Sequence, residues 1–537
     1  RAGTLILFGK LVFTALSPQI AMNEIYFDGI VEYSKDGNQT LVVAANSGTS
    51  PNTYNDLILS GTGTKTLGLN TTVNGTLTRA GSTASLALGS YALTYGSSST
   101  LEYAASTAQT TSNTEFPASP TVGPKNLTIS NSNGVTLNSS KVINGTVTVP
   151  ASGVFNASAY TISGAGDFDV QSGATFITAH ANGINGSNTT SGGISLFDVG
   201  ASYTFNAPSA QVTGTMLPAT VNNLTIDNAA GVTLSNTAVD ITGTLTINSE
   251  KKFEIGPGKQ VTAVTITNNG GTAGLVIKSD ATGTGSLIND DPDVPAPVER
   301  YIAAADWDDA GTGWHMLSSP VETQAISGNC TPTGGSDYDF YTWSESATSL
   351  NWLNQKEGGN NITSFIPGKG YLVAYESAST PVFQNDLNAA EVEITGLTRT
   401  TGNAYAGFNL VGNPYPCAIE WGYVTQNNVS TFAQVWHSAN GSYTVLSDIG
   451  EIPAMNGFFV YVPSGSVGSI TIPTGAKVHS TDPWYKSSSP GQILLMARDL
   501  DNGTAQPSVI RFDENGKSGF DPSEDCPFMA GFAPQFY

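Results

Sequence analysis

Acidic side chains gathered in loop-like stretches are the residues of this chain best suited to chemistry. Carboxylate and amide oxygens on loops are the ligands that Ca²⁺ prefers. Their spacing fits no EF-hand loop, so a solvated turn is the alternative interpretation of each cluster. Structural calcium is the only cofactor that the sequence suggests, and the candidate ligands near the end of the chain are Asp499, Asp501, Asp513, Asn515 and Asp521.

Residues for nucleophilic or zinc chemistry lack the spacing that those reactions need. The four histidines, which form no HExxH or HxH pair, are His180, His315, His437 and His479. No GxSxG motif marks a catalytic serine. The three cysteines show no CxxC spacing and allow at most one disulfide within the chain; they are Cys330, Cys417 and Cys526. We therefore predict no catalytic residue and no enzyme, and we expect His315 and His437 to be structural.

Carboxylates in the first half of the chain leave one enzymatic alternative. Parallel β-solenoids can carry lyases and glycosidases that work through paired carboxylates. Glu32 and Glu102, however, occupy equivalent positions of an internal repeat. A residue that recurs with the repeat is better explained by repeat structure than by a single active site. A carbohydrate-active enzyme and a lectin-like, glycan-binding module remain the two alternatives.

Composition excludes several partners. The net charge is −22 and the pI about 4.3, whereas binding to nucleic-acid phosphates requires Lys and Arg. No apolar run is long enough for a transmembrane helix. Hydrophobic residues make up 39%, and they alternate with Thr and Ser, which indicates strands rather than a disordered linker.

A first kind of repeat fills most of the region 31–288, in units near 31–100, 101–202 and 203–288. Each unit has three blocks in the same order, which begin VEYSKDGNQT, NDLILSG and TTVNGTLT in the first copy. Asn-Gly, Ser-Gly and Gly-Gly pairs separate the short strands and are expected to supply positive φ. Strands this short need stacked neighbours, so the region predicts a β-solenoid or a tandem β-sandwich array. The equivalent residues Leu57, Leu127 and Leu224 should point inward.

A second kind of repeat predicts two β-sandwich-like modules, 301–397 and 398–485. GWHMLSSPV from Gly313 matches GFNLVGNPY from Gly407, and the runs around Trp343 and Trp436 also correspond. Every Trp of the chain lies at or after position 307, which indicates a conventional packed core here. An acidic, Pro-rich stretch, 289–300, predicts an exposed linker before the modules. In the last segment, 486–537, the residue pattern predicts a strand pair followed by a loop-rich tail.

The N-terminal segment 1–30 is apolar without the Thr alternation of the repeats. Gly9 and Lys10 interrupt it, and we predict strands rather than a signal peptide. A strand that is apolar on both faces needs covering on both faces. The segment is therefore expected either to cap its own solenoid or to donate a strand to a neighbouring subunit, which would build a fibre.

The motifs FIPGKGYLVAYES, GFNLVGNPYPCAIEW, IPAMNGFFVYV and VIRFDENGKSGFDPSED resemble a recurrent C-terminal region of large surface proteins. Such adhesin-like proteins are exported by the type IX secretion system of Bacteroidetes-like bacteria and usually continue into a sorting domain. The resemblance implies an extracellular, cell-surface location but no known activity. Cys417 and Cys526 depart from the expected small or aromatic residues, which leaves a protein-specific disulfide open.

These observations together predict an all-β, secreted surface protein. Its expected function is that of an adhesin, a stalk or a fibre subunit in which stacked repeats act as a stiff spacer. Expected partners are other copies of the chain, surface glycans or other cell-envelope proteins. The ligand and the oligomeric state do not follow from the sequence.

Overall fold

A computed structural model describes residues 4–20, 24–44, 52–117, 123–305, 313–331, 337–438, 442–447, 449–480, 492–498 and 505–511. Nearly all regular structure in these residues is β-strand, which confirms the predicted all-β class. The chain forms two compact units, 1–252 and 253–537. Within the described ranges, no helix has the length and apolar character that a membrane span requires.

The described part of unit 1 consists of short strands and one short helix, α1 (Ile184–Ser187). Its first strands are β1 (Thr4–Leu7), β2 (Lys10–Phe13), β3 (Gln19–Ile20), β4 (Glu24–Tyr33), β5 (Gln39–Thr40), β6 (Val43–Ala44), β7 (Asn52–Leu59), β8 (Thr64–Thr66), β9 (Thr71–Val73), β10 (Thr76–Arg79), β11 (Ser85–Ala87), β12 (Leu93–Tyr95), β13 (Thr100–Tyr103), β14 (Gln109–Thr110) and β15 (Asn126–Ile129). The remaining strands of unit 1 are β16 (Val135–Thr136), β17 (Lys141–Val142), β18 (Thr146–Val149), β19 (Val154–Asn156), β20 (Ile162–Gly164), β21 (Asp167–Val170), β22 (Thr175–Thr178), β23 (Asn188–Thr190), β24 (Ser195–Phe197), β25 (Ser202–Phe205), β26 (Gln211–Val212), β27 (Thr220–Val221), β28 (Leu224–Ile226), β29 (Val232–Thr233) and β30 (Ala238–Ile247).

Parallel pairing decides between the two predicted architectures of unit 1. The strand pairs described there are all parallel, and the long sheet runs in the order β1-β4-β7-β10-β13-β15-β18-β21-β24. Parallel neighbours separated by about one coil of chain are the pattern of a solenoid, whereas sandwiches are antiparallel. Unit 1 is therefore a parallel β-solenoid.

Stacking in register produces an inward apolar ladder on this sheet. Each member lies opposite the next in the neighbouring coil, and all are buried: Val31, Leu57, Leu77, Leu101, Leu127, Val147 and Phe168. Leu224 is equally buried, but it lies on another face, between Tyr203 and Leu245. The prediction that Leu57, Leu127 and Leu224 point inward is confirmed. The third copy of the repeat uses a different face of the solenoid from the first two.

Hydrogen bonds between coils explain the second and third blocks of the repeat. The side-chain oxygen of Asn126 accepts a bond from the Thr146 N–H at 2.9 Å, and Asn223 does the same for Thr244 at 2.9 Å. The glycine before each threonine lets the backbones approach, because a Cβ on Gly145 would lie 2.2 Å from the Asn126 Oδ1. A positive φ was predicted for the glycines of the Asn-Gly pairs. Gly134 has a φ of 100°, as predicted, but Gly145 does not have a positive φ, so the prediction is wrong there.

A buried glutamine accounts for the end of the first block. Gln39, Gln109 and Gln211 are each under 9% exposed, and each accepts a bond from the backbone N–H four residues earlier. The amide nitrogen of each then donates to a backbone carbonyl of the preceding coil, at 2.9 to 3.0 Å. The glutamine therefore recurs at the end of the first block because its side chain joins two successive coils. We call this contact the glutamine clamp.

Unit 2 begins with further short strands: β31 (Phe253–Ile255), β32 (Gln260–Asn268), β33 (Leu275–Ile277), β34 (Ser279–Asp280), β35 (Gly283–Thr284) and β36 (Ser286–Ile288). The strands that follow are β37 (Pro295–Glu299), β38 (His315–Leu317), β39 (Gln324–Ala325), β40 (Tyr338–Trp343), β41 (Trp352–Asn354), β42 (Ser364–Phe365), β43 (Tyr371–Tyr375), β44 (Val382–Asp386), β45 (Val392–Leu397), β46 (Phe408–Gly412), β47 (Ala418–Glu420), β48 (Thr425–Asn427), β49 (Ala433–His437), β50 (Ser442–Leu446), β51 (Glu451–Ile452), β52 (Gly457–Tyr461), β53 (Gly468–Ile472), β54 (Lys477–Val478), β55 (Gln492–Arg498) and β56 (Ala505–Arg511). Short 3-10 helices span Gly271–Ala273, Gly358–Asn360, Trp421–Tyr423 and Thr474–Ala476.

The two modules share one strand order. A four-stranded antiparallel sheet runs β38-β43-β40-β41 in the first module and β46-β52-β49-β50 in the second. Strand pairs β39–β42 and β47–β51 correspond, as do β37–β44 and β45–β53. Trp343 and Trp436 lie on corresponding strands, β40 and β49. This is the arrangement that a duplication requires.

The acidic stretch 289–300 is not an exposed linker, and that prediction is wrong. Its second half is strand β37, which pairs with β44. Val294, Ala296 and Val298 are at most 3% exposed. Pro295 and Pro297 alternate with these inward residues, so the proline content concealed a period of two. The strand is the first element of module 1 and corresponds to β45 of module 2. Both modules therefore begin before their predicted starts at 301 and 398, with β37 (Pro295–Glu299) and β45 (Val392–Leu397).

The last described strands, β55 and β56, form an antiparallel pair in which Gln492 lies opposite Arg511. A strand pair was predicted for this segment. The remainder of the predicted tail lies outside the described residues.

Replacement of Gly145 by alanine should destabilise unit 1 by about 1 to 3 kcal/mol, because the new methyl group would collide with Asn126 and the Lys125 carbonyl. Hydrogen exchange of residues 126–149 should accelerate. Gly256→Ala is the matched control, since its nearest neighbour would be a lysine side-chain carbon at 3.6 Å. Equal protection in both variants would contradict the close-approach explanation.

Candidate functional site

The predicted calcium ligands cannot be placed. Asp499, Asp501, Asp513, Asn515 and Asp521 lie outside the described residues. Within the described ranges, no group of three or more His, Cys, Asp or Glu side chains could hold a metal ion. Calcium at the end of the chain therefore stays a prediction.

Three of the four histidines are buried or lie against hydroxyl groups. His315 is 7% exposed and its Nδ1 lies 3.0 Å from the Ser438 hydroxyl. Burial lowers the pKa of His315 to about 3, and the charge of Arg300 adds to that effect. His437 is equally buried. His479 lies between the hydroxyls of Thr262 and Ser286, at 3.1 and 2.8 Å.

Glu32 and Glu102 make the same contact one unit apart. Glu32 accepts a hydrogen bond from Ser60 at 2.5 Å, and Glu102 accepts one from Ser130 at 2.8 Å. In both cases the serine lies 28 residues further along the chain, in the adjacent coil of the stack. The contact explains why the glutamate recurs with the repeat.

Cys330 and Cys417 are buried and free. Burial raises the pKa of both thiols, to about 12 for Cys417. Cys526 lies outside the described residues, so the protein-specific disulfide that its departure from the family pattern left open is not tested.

The two modules of unit 2 contact each other through reciprocal hydrogen bonds from tryptophan side chains. Trp343 of module 1 donates its indole N–H to the Phe408 carbonyl of module 2, at 2.7 Å. Trp436 of module 2 donates to the Trp314 carbonyl of module 1, at 2.8 Å. Because Trp314 follows Gly313 and Phe408 follows Gly407, the two bonds are equivalent under exchange of the modules.

Backbone bonds repeat this exchange relation. Ser318 N–H donates to the Met455 carbonyl at 2.9 Å, and Gly412 N–H donates to the Gly368 carbonyl at 2.8 Å. Between them lies an aromatic and apolar cluster to which both modules contribute equivalent residues. Its buried members are Met316, Tyr341, Trp343, Trp352, Leu372, Phe408, Leu410, Trp436 and Phe459. The modules therefore meet face to face around an approximate two-fold axis.

Glu345 places a buried negative charge at the contact between the two modules. It is 4% exposed, and its carboxylate accepts bonds from the Thr400 and Gly407 N–H groups at 2.6 and 3.0 Å. The hydroxyls of Thr398 and Thr400 donate at 2.7 and 2.9 Å. Burial raises the pKa of Glu345, but the donated hydrogen bonds outweigh it and leave the pKa below its ordinary value. The carboxylate ties the first module to the 398–407 turn of the second.

Residues 4–20 present several exposed apolar side chains. Strands β1 and β2 both pair with β4, so this segment lies on its own solenoid, as the capping alternative predicted. Its outward side chains stay exposed: Ile6 by 48%, Phe8 by 79% and Val12 by 45%. Inward Leu11 and Phe13 are only half-buried, whereas Val31 and Tyr33 of the next coil are 0% exposed. Among the described strands, none pairs with the outer edge of β1 or β2.

Sequence reasoning missed a buried ion pair inside the solenoid. Arg79 pairs with Glu115, which is 0% exposed, and the Tyr103 hydroxyl bonds the same carboxylate. Burial lowers the pKa of Arg79 and raises that of Tyr103. An arginine at an inward position of β10, where the pattern demands an apolar residue, was the available signal.

Comparisons with known proteins give one family and one relative. Residues 204–452 match a family model described as a domain of unknown function (DUF8693). A stretch of 216 residues, 38% of the chain, is 28% identical to the minor fimbrium subunit Mfa5 of Porphyromonas gingivalis. The match covers 17% of that protein's length. No solved structure matches the chain.

Trp343→Phe and Trp436→Phe should each destabilise unit 2 by about 1 to 3 kcal/mol, because each leaves a carbonyl without its donor. The approximate two-fold relation predicts similar costs for the two variants. Chemical unfolding followed by tryptophan fluorescence reports on unit 2 alone, since unit 1 contains no Trp. A cost confined to one variant would contradict the reciprocal interface.

Acid should weaken the module interface through Glu345. A carboxyl group whose pKa is lowered by folding stabilises the fold above its unfolded pKa of about 4.5, and this contribution is lost as the pH falls through the folded pKa. Unfolding monitored by Trp fluorescence should therefore lose stability below about pH 4.5 in the parent. Glu345→Gln should be less stable by about 1 to 2 kcal/mol at pH 7 and less sensitive to acid. The exposed Glu376→Gln is the control, and an unchanged acid profile in Glu345→Gln would contradict the assignment.

Proposed function

We propose that this chain is a structural subunit of an extracellular, cell-surface fibre or stalk, exported by the type IX secretion system. The observation that supports it most is the local similarity to a minor fimbrium subunit. The sequence motifs of the second half point to the same class of surface protein. The location, the export route and the assembly of this chain are all part of the proposal.

The proposed mechanism is geometric rather than catalytic. A parallel solenoid resists bending because each coil is joined to the next by a ladder of backbone hydrogen bonds and by the glutamine clamps. The two modules of unit 2 pack face to face, and polar groups of one module form hydrogen bonds with polar groups of the other. A solenoid that resists bending in this way suits a stiff spacer. The proposed partners are other copies of the chain, surface glycans or envelope proteins. Adhesion through such partners is part of the proposal.

Surface labelling tests the proposal. An antibody against the purified chain should label intact producing cells, and electron microscopy of sheared surface material should show it in fibres or stalks. An antibody against a cytoplasmic protein controls for lysis. Label that appears only after the cells are broken would sink the proposal.

A further inference from the structure

One outer face of the solenoid in unit 1 is built from stacked threonines. We infer that this face binds ice, as a second activity of the solenoid. The inference goes beyond the proposed function and does not depend on it, because the residues that carry it all lie on four consecutive coils of unit 1.

The face consists of the outward side chains of β22, β25, β28 and β30, which stack in that order. In these strands the inward residues are buried, and the outward residues that alternate with them are half-buried. We call the eight outward residues the threonine face; they are Thr175, Ile177, Ser202, Thr204, Asn223, Thr225, Thr244 and Thr246.

Pairing in register arranges these side chains in rows. Thr204 lies opposite Thr225, and Thr225 lies opposite Thr246 of the next coil. In the adjoining row, Thr175 lies opposite Ser202. Neighbours within a row are therefore about 4.8 Å apart, and the two rows are about 7 Å apart along the strands. Water oxygens on the prism faces of hexagonal ice repeat at closely similar spacings.

Side-chain chemistry distinguishes this face, because every parallel solenoid has similar spacings. Threonine is restricted at χ1, so a row of threonines presents methyl groups and hydroxyls in a nearly fixed array. A fixed array loses little entropy when it binds a rigid surface. The side-chain hydroxyls of Thr204, Thr225 and Thr246 form no hydrogen bond with another described residue, so they can bond to the water of an ice surface.

Charge separates the threonine face from the long sheet of the same solenoid. None of its eight residues is ionisable, although the net charge of the chain is −22. On the long sheet, Glu102 accepts hydrogen bonds from the outward hydroxyls of Thr78 and Ser130. Asp167 and Asp169 are the outward residues of β21 in that sheet. Charged groups are costly to strip of their own hydration shell, so the uncharged face is the better match to a neutral lattice.

A crystalline polysaccharide is the alternative ligand for a flat, uncharged face. Sugar rings are bound mostly by aromatic side chains that stack on them, and none of the eight residues is aromatic. The threonine face therefore fits ice better than it fits a polysaccharide, and cellulose serves as the comparison ligand.

Growth of ice in a solution of the purified full chain provides the test. Single crystals watched by cooling microscopy should become faceted, and their growth should stop over a measurable interval below the melting temperature. The chain should also be incorporated into slowly growing ice, from which an ordinary acidic globular protein is excluded.

The variant Thr225→Tyr places a ring at the centre of the threonine face. It should lower the amount of chain bound to ice by about tenfold, because close contact is lost at the centre of the binding surface. Tyrosine is favourable in strands, so the fold should be retained. Thr148→Tyr, at an outward position of β18 in the long sheet, is the matched control and should change binding by less than about twofold. Should Thr225→Tyr melt earlier than the parent, Thr204→Lys is measured in its place.

Three results would overturn the inference: crystals that grow as they do in buffer alone, equal loss of ice binding in Thr148→Tyr, or retention on microcrystalline cellulose without an effect on ice. These experiments use purified chain, so they are independent of where the protein resides. Ice binding without label on intact cells would reject the proposed function alone, and surface label without ice binding would reject this inference alone.

Discussion

The distance between neighbouring parallel strands, about 4.8 Å, is the constraint on which unit 1 depends. At that separation each inward side chain lies directly over its equivalent in the next coil, so apolar residues must recur in register, as Leu77, Leu101 and Leu127 do. The corners must also let one backbone pass over another, which only glycine permits at Gly145. Polar atoms that the corners bury must then be bonded across the same gap, and the repeated glutamines do this.

Unit 2 meets a different constraint, because duplicated modules present the same face to each other. Reciprocal bonds from Trp343 and Trp436 follow from that relation. The symmetry is incomplete at the positions two residues after these tryptophans. Glu345 in module 1 accepts four bonds from the 398–407 turn, whereas Ser438 in module 2 faces the buried His315. Divergence has thus placed a carboxylate on one side of the axis and a neutral pair on the other.

Much of this organisation could be predicted from sequence, because it depends on short-range periodicity. The inward positions of Leu57 and Leu127 follow from alternation, and the strand order shared by the modules follows from matched motifs. Strand β37 could not be recognised, since proline and acid content masked the alternation of Val294, Ala296 and Val298. The third repeat's move to another face was equally hidden, because a repeat motif records which residues are inward but not which face they line.

The buried Arg79–Glu115 pair shows why the candidate site was harder to predict than the fold. Its partners lie 36 positions apart in the chain and meet only because coil stacking brings them together. Charged residues are rarely buried unless paired, so Arg79 alone signals an unknown partner without identifying it. The same holds for Glu345, whose donors come from a different module. Local sequence pattern identifies the strands, whereas polar contacts between strands depend on how the fold places those strands relative to one another.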